Sequence, residues 1–228
     1  MNEITTGLLK AIELIVTLDP EVMNIAGRSL AISLTATLLA SLGCIFLGGL
    51  VHFHNFTGKR ILINFIQTLY SLPTVTVGLF VFLLLSRAGP LGIFGLLFTP
   101  TGMVIGQMIL ISPIMTGFTI SALSAVGPQI KDTAISLGAS NFQAIFVIIK
   151  EARFAILAAV VLGFGRAISE VGIAIMIGGN IRGFTRVFTS AIALETAKGN
   201  IELSIALGII LMSLALVINL LLGRIQQG

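Results

Sequence analysis

Arg166 and Glu170 are the residues of this 228-residue chain best equipped for chemistry. They stand four apart inside an apolar stretch. In a helix that spacing puts both side chains on one face, where they can pair. A lone charge there costs about 3 kcal/mol if lipid surrounds it, so the pair must face protein or water. Two roles are open. As an ion pair the two residues cancel their charge and fix packing. Alternatively, Arg166 offers a guanidinium to a passing oxyanion. A second polar group lies in another apolar stretch, where Tyr70, Ser71, Thr74 and Thr76 surround Pro73. Proline deletes a backbone donor and clashes with the turn before it. The segment is therefore either a kink steadied by hydroxyls or a hydroxyl-lined part of a path or gate.

Other chemistries find little support. No nucleophile–base constellation is visible, and the Ser and Thr residues are scattered along apolar segments. The phosphate-cradling pattern G-x-x-x-x-G-K-[ST] does not occur, so the chain has no ATP site of its own. His52 and His54 form an H-x-H pair beside Lys59 and Arg60, but two ligands without a nearby Cys or carboxylate make a weak metal site. A polar interfacial turn is the better reading. Cys44 is alone, which excludes a disulfide within the chain. Neither a metal nor a cofactor is expected in this chain.

The elements that must position these groups follow from composition. Hydrophobic residues make up 56% of the chain and charged residues only 10%. The mean hydropathy is +1.10. A water-soluble domain carries about 25% charged residues, so a soluble enzyme is excluded. The thirteen Lys and Arg are spread thinly between apolar runs, unlike the clustered charge of a nucleic-acid binder. Five runs near 29–51, 62–86, 100–122, 154–179 and 201–223 are long enough to cross a bilayer. Lipid demands closed backbone hydrogen bonding, so the runs are predicted to be helices. The expected fold is an all-α polytopic membrane protein with five transmembrane helices and an N-terminal interfacial helix.

Residues 3–18 predict that extra helix. Ile4, Leu8, Ile12 and Ile15 recur at helical spacing among polar residues, and the stretch is too short to span. Pro20 should end or turn it. No secretory leader pattern is present. Lys and Arg divide evenly between the two sets of loops, so the positive-inside rule does not orient the chain. Gly163, Gly165, Gly172, Gly178 and Gly179 crowd the fourth span, which predicts close helix packing. Gly165 and Gly172, seven apart, suggest one groove for a partner helix.

The segment 123–153 is the longest polar connection. Gly127-Pro128 breaks the preceding helix. Asp132 or Thr133 is expected to start a short one and Gly138 to end it. Ser140 or Asn141 can cap the next, leading into the fourth span. A helix–Gly–helix elbow on a membrane surface suits a partner's grip.

Asp132, Thr133, Ala134, Leu137, Gly138, Ala139 and Ser140 resemble the EAA loop of ABC importer permeases, whose pattern is Glu-Ala-Ala-x-x-x-Gly. Asp132 and Thr133 replace the Glu and first Ala. Lys150 and Glu151 stand where the pattern has Leu-Pro. Leu72-Pro73-Thr74-Val75-Thr76-Val77-Gly78 is similar to the second-span region of molybdate- and sulfate-type permeases. So is Arg166-Ala167-Ile168-Ser169-Glu170-Val171-Gly172 with Gly178-Gly179-Asn180-Ile181-x-Gly183-x-Thr185. The variant here, with Ala193-Leu194-Glu195-Thr196 following, looks most like tungstate importer permeases.

The resemblance implies a division into residues 1–25 as interfacial segment, 26–222 as permease domain with its coupling loop at 123–153, and 223–228 as cytoplasmic tail. It makes that loop cytoplasmic, seated on an ATPase, so the N-terminus is outside and the C-terminus inside a prokaryotic inner or plasma membrane. It implies a homodimer, two ABC ATPase subunits that bind ATP and Mg, and an extracytoplasmic oxyanion-binding protein. That protein would dock on the 180–200 loop through Asn180, Arg182 and Arg186, unless the loop is simply a solvated surface with an interfacial helix near 187–197. Tungstate is the expected cargo. Molybdate, sulfate or thiosulfate on the same architecture is the first alternative. A stand-alone secondary transporter is the second.

Overall fold

The computed structural model describes residues 3–227, and these form ten α-helices and no strand. The first helix, α1 (Glu3–Val16), is followed by Leu18, whose φ of 49° turns the chain. Asp19 then caps α2 (Pro20–Phe53), its Oδ1 accepting from the backbone N–H groups of Glu21 and Val22 at 3.0 Å each. Pro20 thus starts a helix as well as closing off α1. Proline is preset for a first helical position, where its missing donor costs nothing. The helix α1 packs through Gly7, Ala11 and Leu14, with Gly7 against Ile205. The expected apolar stripe Ile4, Leu8, Ile12 and Ile15 points outward.

The run at 62–86 is divided. A helix α3 (Lys59–Thr68) and a 3-10 turn (Leu69–Ser71) meet α4 (Thr74–Leu85) at a 99° bend. Pro73 precedes α4 in extended conformation, where its missing donor costs the new helix nothing. The expected kink is therefore a corner.

The helix α5 (Pro100–Ser124) is continuous and enclosed by its neighbours. It lies beside α2, at whose Gly48 a β-carbon would come within 2.8 Å of Thr119. Small Ser29, Ser33, Thr37 and Ser41 line the buried face of α2. Such residues let helices approach closely. The helix α6 (Pro128–Ser136) begins four residues before Asp132, because Pro128 supplies the preset first position. Gly138, at φ +90°, turns the chain into α7 (Asn141–Ile168). Ser140 and Gln143 cap α7 reciprocally, Ser140 N–H donating to Gln143 Oε1 at 2.8 Å.

The run at 154–179 is also divided. The helix α7 stops at Ile168, and a short α8 (Gly172–Met176) follows. The expectation of one helix carrying both Arg166 and Glu170 mid-span is corrected: Glu170 lies in the break. So is the single Gly165–Gly172 groove. Gly165 is open, whereas Gly172 packs on the Thr74 side of α4. Gly163 lies against Met115 and Gly178 against Met103, so there the close-packing expectation holds. The helix α9 (Phe188–Ala197) forms where a helix is expected near 187–197, and its first turn, Phe188 to Ala191, is buried. The last helix, α10 (Ile201–Gln227), packs on α1 and α9 through Ala206, Leu207 and Ile210.

Among the described residues, three helices, α2, α5 and residues 201–220 of α10, are long and apolar enough to cross a membrane. The bent pair α3–α4 makes a fourth if it is one span. The helix α7 carries Lys150, Glu151 and Arg153 in its middle and Arg166 near its end.

Candidate functional site: a cationic trough and an exposed elbow

Glu170 organises the break between α7 and α8. Its Oε2 accepts from Arg166 Nη1 at 3.0 Å. Its Oε1 accepts from the N–H groups of Gly172 at 2.9 Å and Ile173 at 3.3 Å. Its backbone carbonyl accepts from Thr189 Oγ1 at 2.8 Å. The Glu170 side chain is 2% exposed, that of Arg166 34%. A buried carboxylate with this many donors is fully satisfied. Glu170 is thus a fastener that orients Arg166 and starts α8.

Arg166 opens on a cavity of about 710 Å³. The walls are apolar, from Ile114 and Phe118 of α5 and Ala158, Val161 and Leu162 of α7. Its polar groups are Tyr70, Arg166, Ser169 and Asn219, with no carboxylate among the lining residues. The lining runs along α7 from Ala158 to Ser169, the residue that caps its end, about 16 Å at 1.5 Å per residue. The space is therefore a trough along α7. Ser169 spends its proton on α7 carbonyls, donating to Gly165 O at 2.9 Å. The trough is a place where an anion meets one cation and few competing charges.

Of the five residues around the corner, only Tyr70 lines the trough. Ser71, Pro73, Thr74 and Thr76 do not. Tyr70 stacks on Phe118, ring centroids 6.0 Å apart. Its hydroxyl occupies the space a β-carbon on Gly117 would need. Glycine at 117 is what lets the ring lie against α5.

The elbow is the second feature. Asp132, Thr133, Leu137, Gly138 and Ser140 are exposed, Ala134 and Ala139 partly so. Leu137 is 84% exposed. Thr133, Ala134, Leu137, Gly138 and Ala139 line a groove of about 620 Å³ between α6 and the start of α7. Beyond it, Phe142 and Phe146 pack edge to face at 4.9 Å and remain largely exposed. Leu137, Phe142 and Phe146 thus leave an exposed apolar surface at the elbow.

Asn180, Arg182 and Arg186 are drawn together by Glu21. Arg182 pairs with both Glu21 oxygens, its Nε donating at 3.0 Å. Arg186 Nη1 reaches Glu21 Oε1 at 3.4 Å, and its Nε donates to Asn180 Oδ1 at 3.2 Å. Asn180 sits at φ +52° and also accepts from Ser190 Oγ at 2.9 Å. The cluster pins the loop after α8 to the start of α2. Glu195, beside it, is held below its ordinary carboxyl value chiefly by the hydrogen bond from Lys198. At the opposite end of α2 the two histidines have separate partners, His52 Nδ1 with Ser124 Oγ at 3.2 Å and His54 Nδ1 with Leu50 O at 3.1 Å.

Two contributors escaped the sequence reading. Asn219 stands late in an apolar run, and nothing local marks it as trough-lining. Gln107 is buried in α5 and donates to Ala167 O at 3.1 Å, holding the end of α7. A glutamine isolated in an apolar run was the available signal.

Comparison with known proteins gives a consistent result. Residues 27–228 match the model of the family described as binding-protein-dependent transport system inner membrane component. The chain is 40% identical over 227 residues to the tungstate uptake system permease protein TupB of Peptoclostridium acidaminophilum, covering all of both. It is 40% identical over 210 residues to a probable anion ABC transporter permease protein of Haloferax volcanii, covering 90% of each. Among solved structures it resembles a chain of a bacterial alginate ABC transporter in complex with an alginate pentasaccharide-bound periplasmic protein. The TM-score is 0.72 and the identity 20%, over 92% of this chain and 81% of that one, so this likeness concerns the fold.

Proposed function

Because the chain belongs to the family of binding-protein-dependent transport system inner membrane components, the permease subunits of ABC importers, we propose that its cargo is tungstate, delivered by an extracytoplasmic binding protein. The single observation that carries this reading is the 40% identity to a tungstate uptake permease from end to end. The trough supports it. One guanidinium in an apolar channel attracts an oxyanion, and Glu170 tempers the attraction so that the anion can leave. A conduit must bind weakly enough to release.

The working unit is a homodimer. The trough is open along one side of α7, and a second copy related by a two-fold axis would close it into a conduit. Two ATPase subunits, holding ATP and Mg, grip the two elbows through Asp132, Thr133, Ala134, Leu137, Gly138, Ala139 and Ser140. The elbow then faces the cytoplasm, and the chain begins outside and ends inside the cell membrane. Five crossings follow if α7 and α8 together make one. Outside, the surface around Asn180, Arg182 and Arg186 receives the binding protein. Charges there steer the encounter more than they hold it.

ATP binding draws the ATPases and their elbows together. The helices rock, the trough turns outward, and the binding protein releases its anion. Hydrolysis resets the assembly. Competition decides the cargo. Radiolabelled tungstate uptake by vesicles containing the assembled importer should be displaced by unlabelled tungstate well before molybdate or sulfate. Equal displacement by sulfate would assign the chain to the sulfate branch of the same architecture.

A further inference from the structure

We propose that the trough contains a second anion station, made by Tyr70 and Asn219, apart from Arg166 and nearer the elbow. The inference rests on the chain's being an oxyanion permease; it gives Tyr70 a defined task within the path and adds Asn219, which the sequence did not single out.

Register places the station. The helices α5 and α7 run antiparallel, since Gln107 bonds to Ala167 O while Met115 lies against Gly163. Continuing that register, Phe118 falls toward Ala158, the end of the trough nearer α6. Tyr70 stacks on Phe118 and rests its hydroxyl on Gly117, so it belongs to that end. Arg166 belongs to the other. Ile210 of α10 packs with Phe188 and Ala191, beside the Thr189 that bonds to Glu170 O, so that level matches the Arg166 end; Asn219 lies about 13 Å of helix further along α10, toward the Ala158 end.

The hydrogen bonds show that both groups are available. Among the described residues, neither the Tyr70 hydroxyl nor the Asn219 amide has a hydrogen-bond partner. Arg166 gives Nη1 to Glu170 and keeps its other donors. The lining therefore offers donors at two levels, cationic at one and neutral at the other, and no carboxylate at either. The ligand class that fits is a small oxyanion rich in acceptors. Neutral donors bind an anion less tightly than a guanidinium does. An anion passing from Arg166 to Tyr70 and Asn219 moves from a stronger to a weaker hold, as release requires.

The test uses the chain assembled with its ATPase and binding protein in proteoliposomes, with radiolabelled tungstate as probe. Tyr70→Phe deletes one neutral hydrogen bond and should slow maximal uptake about three- to tenfold. Asn219→Asp places a like charge in the path and should slow it about tenfold or more. Asn219→Gln, which keeps the amide, should restore most of the rate. Binding-protein-stimulated ATP hydrolysis should persist in all three. Wild-type uptake speed in both Tyr70→Phe and Asn219→Asp would overturn the station and leave the permease reading standing. Loss of ATP hydrolysis in step with uptake would show a structural role instead, and would also overturn it. A wild-type assembly that carries neither tungstate, molybdate nor sulfate would overturn both.

Discussion

Glu170 holds Arg166 at 3.0 Å with one carboxylate oxygen and starts the next helix with the other. Removing the carboxylate therefore does two things at once. Glu170→Ala leaves a half-buried guanidinium unpaired and α8 uncapped, and should cost about 3 kcal/mol. Glu170→Gln keeps acceptors for the Gly172 and Ile173 N–H groups and should cost about 1 kcal/mol. Thermal unfolding of the detergent-solubilised protein measures both. Equal losses would mean that the ion pair, not the cap, dominates.

Gly138 turns between α6 and α7 at φ +90°, a conformation that costs a side-chain-bearing residue about 1–2 kcal/mol. No atom beyond its chain neighbours lies within 4 Å of its β-carbon position, so the strain is the whole local effect. Gly138→Val should leave the protein folded but tilt the elbow. Uptake should fall further than ATP hydrolysis in the assembled importer. Measuring both on one preparation checks this, and an unchanged ratio counts against the elbow as the transmitting element.

Tyr70 and Gly117 form an unusually specific pair, hydroxyl in place of β-carbon. Gly117→Ala should expel the ring from α5 and slow uptake. Tyr70→Ala in the same chain removes the clash, so the stability losses should not add. The double-mutant cycle, read by thermal unfolding, should show a coupling of about 1 kcal/mol or more.

Much of this was legible in the sequence. Apolar runs between charges mark the long helices, because lipid tolerates little else. The elbow was legible through Gly127-Pro128, Gly138 and Ser140, residues whose backbone or capping preferences act locally. Its start is less legible, because Pro128 both breaks the helix before it and opens the next. The divided runs were less legible. Hydropathy does not register that the Glu170 side chain caps the residues just after it, so 154–179 reads as one helix. Pro73 announced a kink but not a 99° corner, since the angle depends on packing against α5 and α8. Tyr70 depends on Gly117 and Phe118 of α5, far along the chain, and Asn219 on how α10 meets α7. Tertiary proximity of that kind leaves no periodic trace.

Glu195 predicts a pH dependence. Its carboxyl is lowered first by the Lys198 hydrogen bond, so the folded protein holds it ionised more readily than the unfolded chain does. Its contribution is therefore complete above the unfolded carboxyl value and is lost as pH falls through the depressed folded value. Wild type should unfold at higher temperature than Glu195→Gln near neutrality, and the gap should close in acid. A gap that widens in acid would contradict the sign.

The central claim is that this chain forms a path and has no motor. Vesicles containing the chain, its ATPase and its binding protein should accumulate tungstate against a gradient only when ATP is present on the elbow side. Uphill accumulation by the chain alone, without ATPase or nucleotide, would contradict the account.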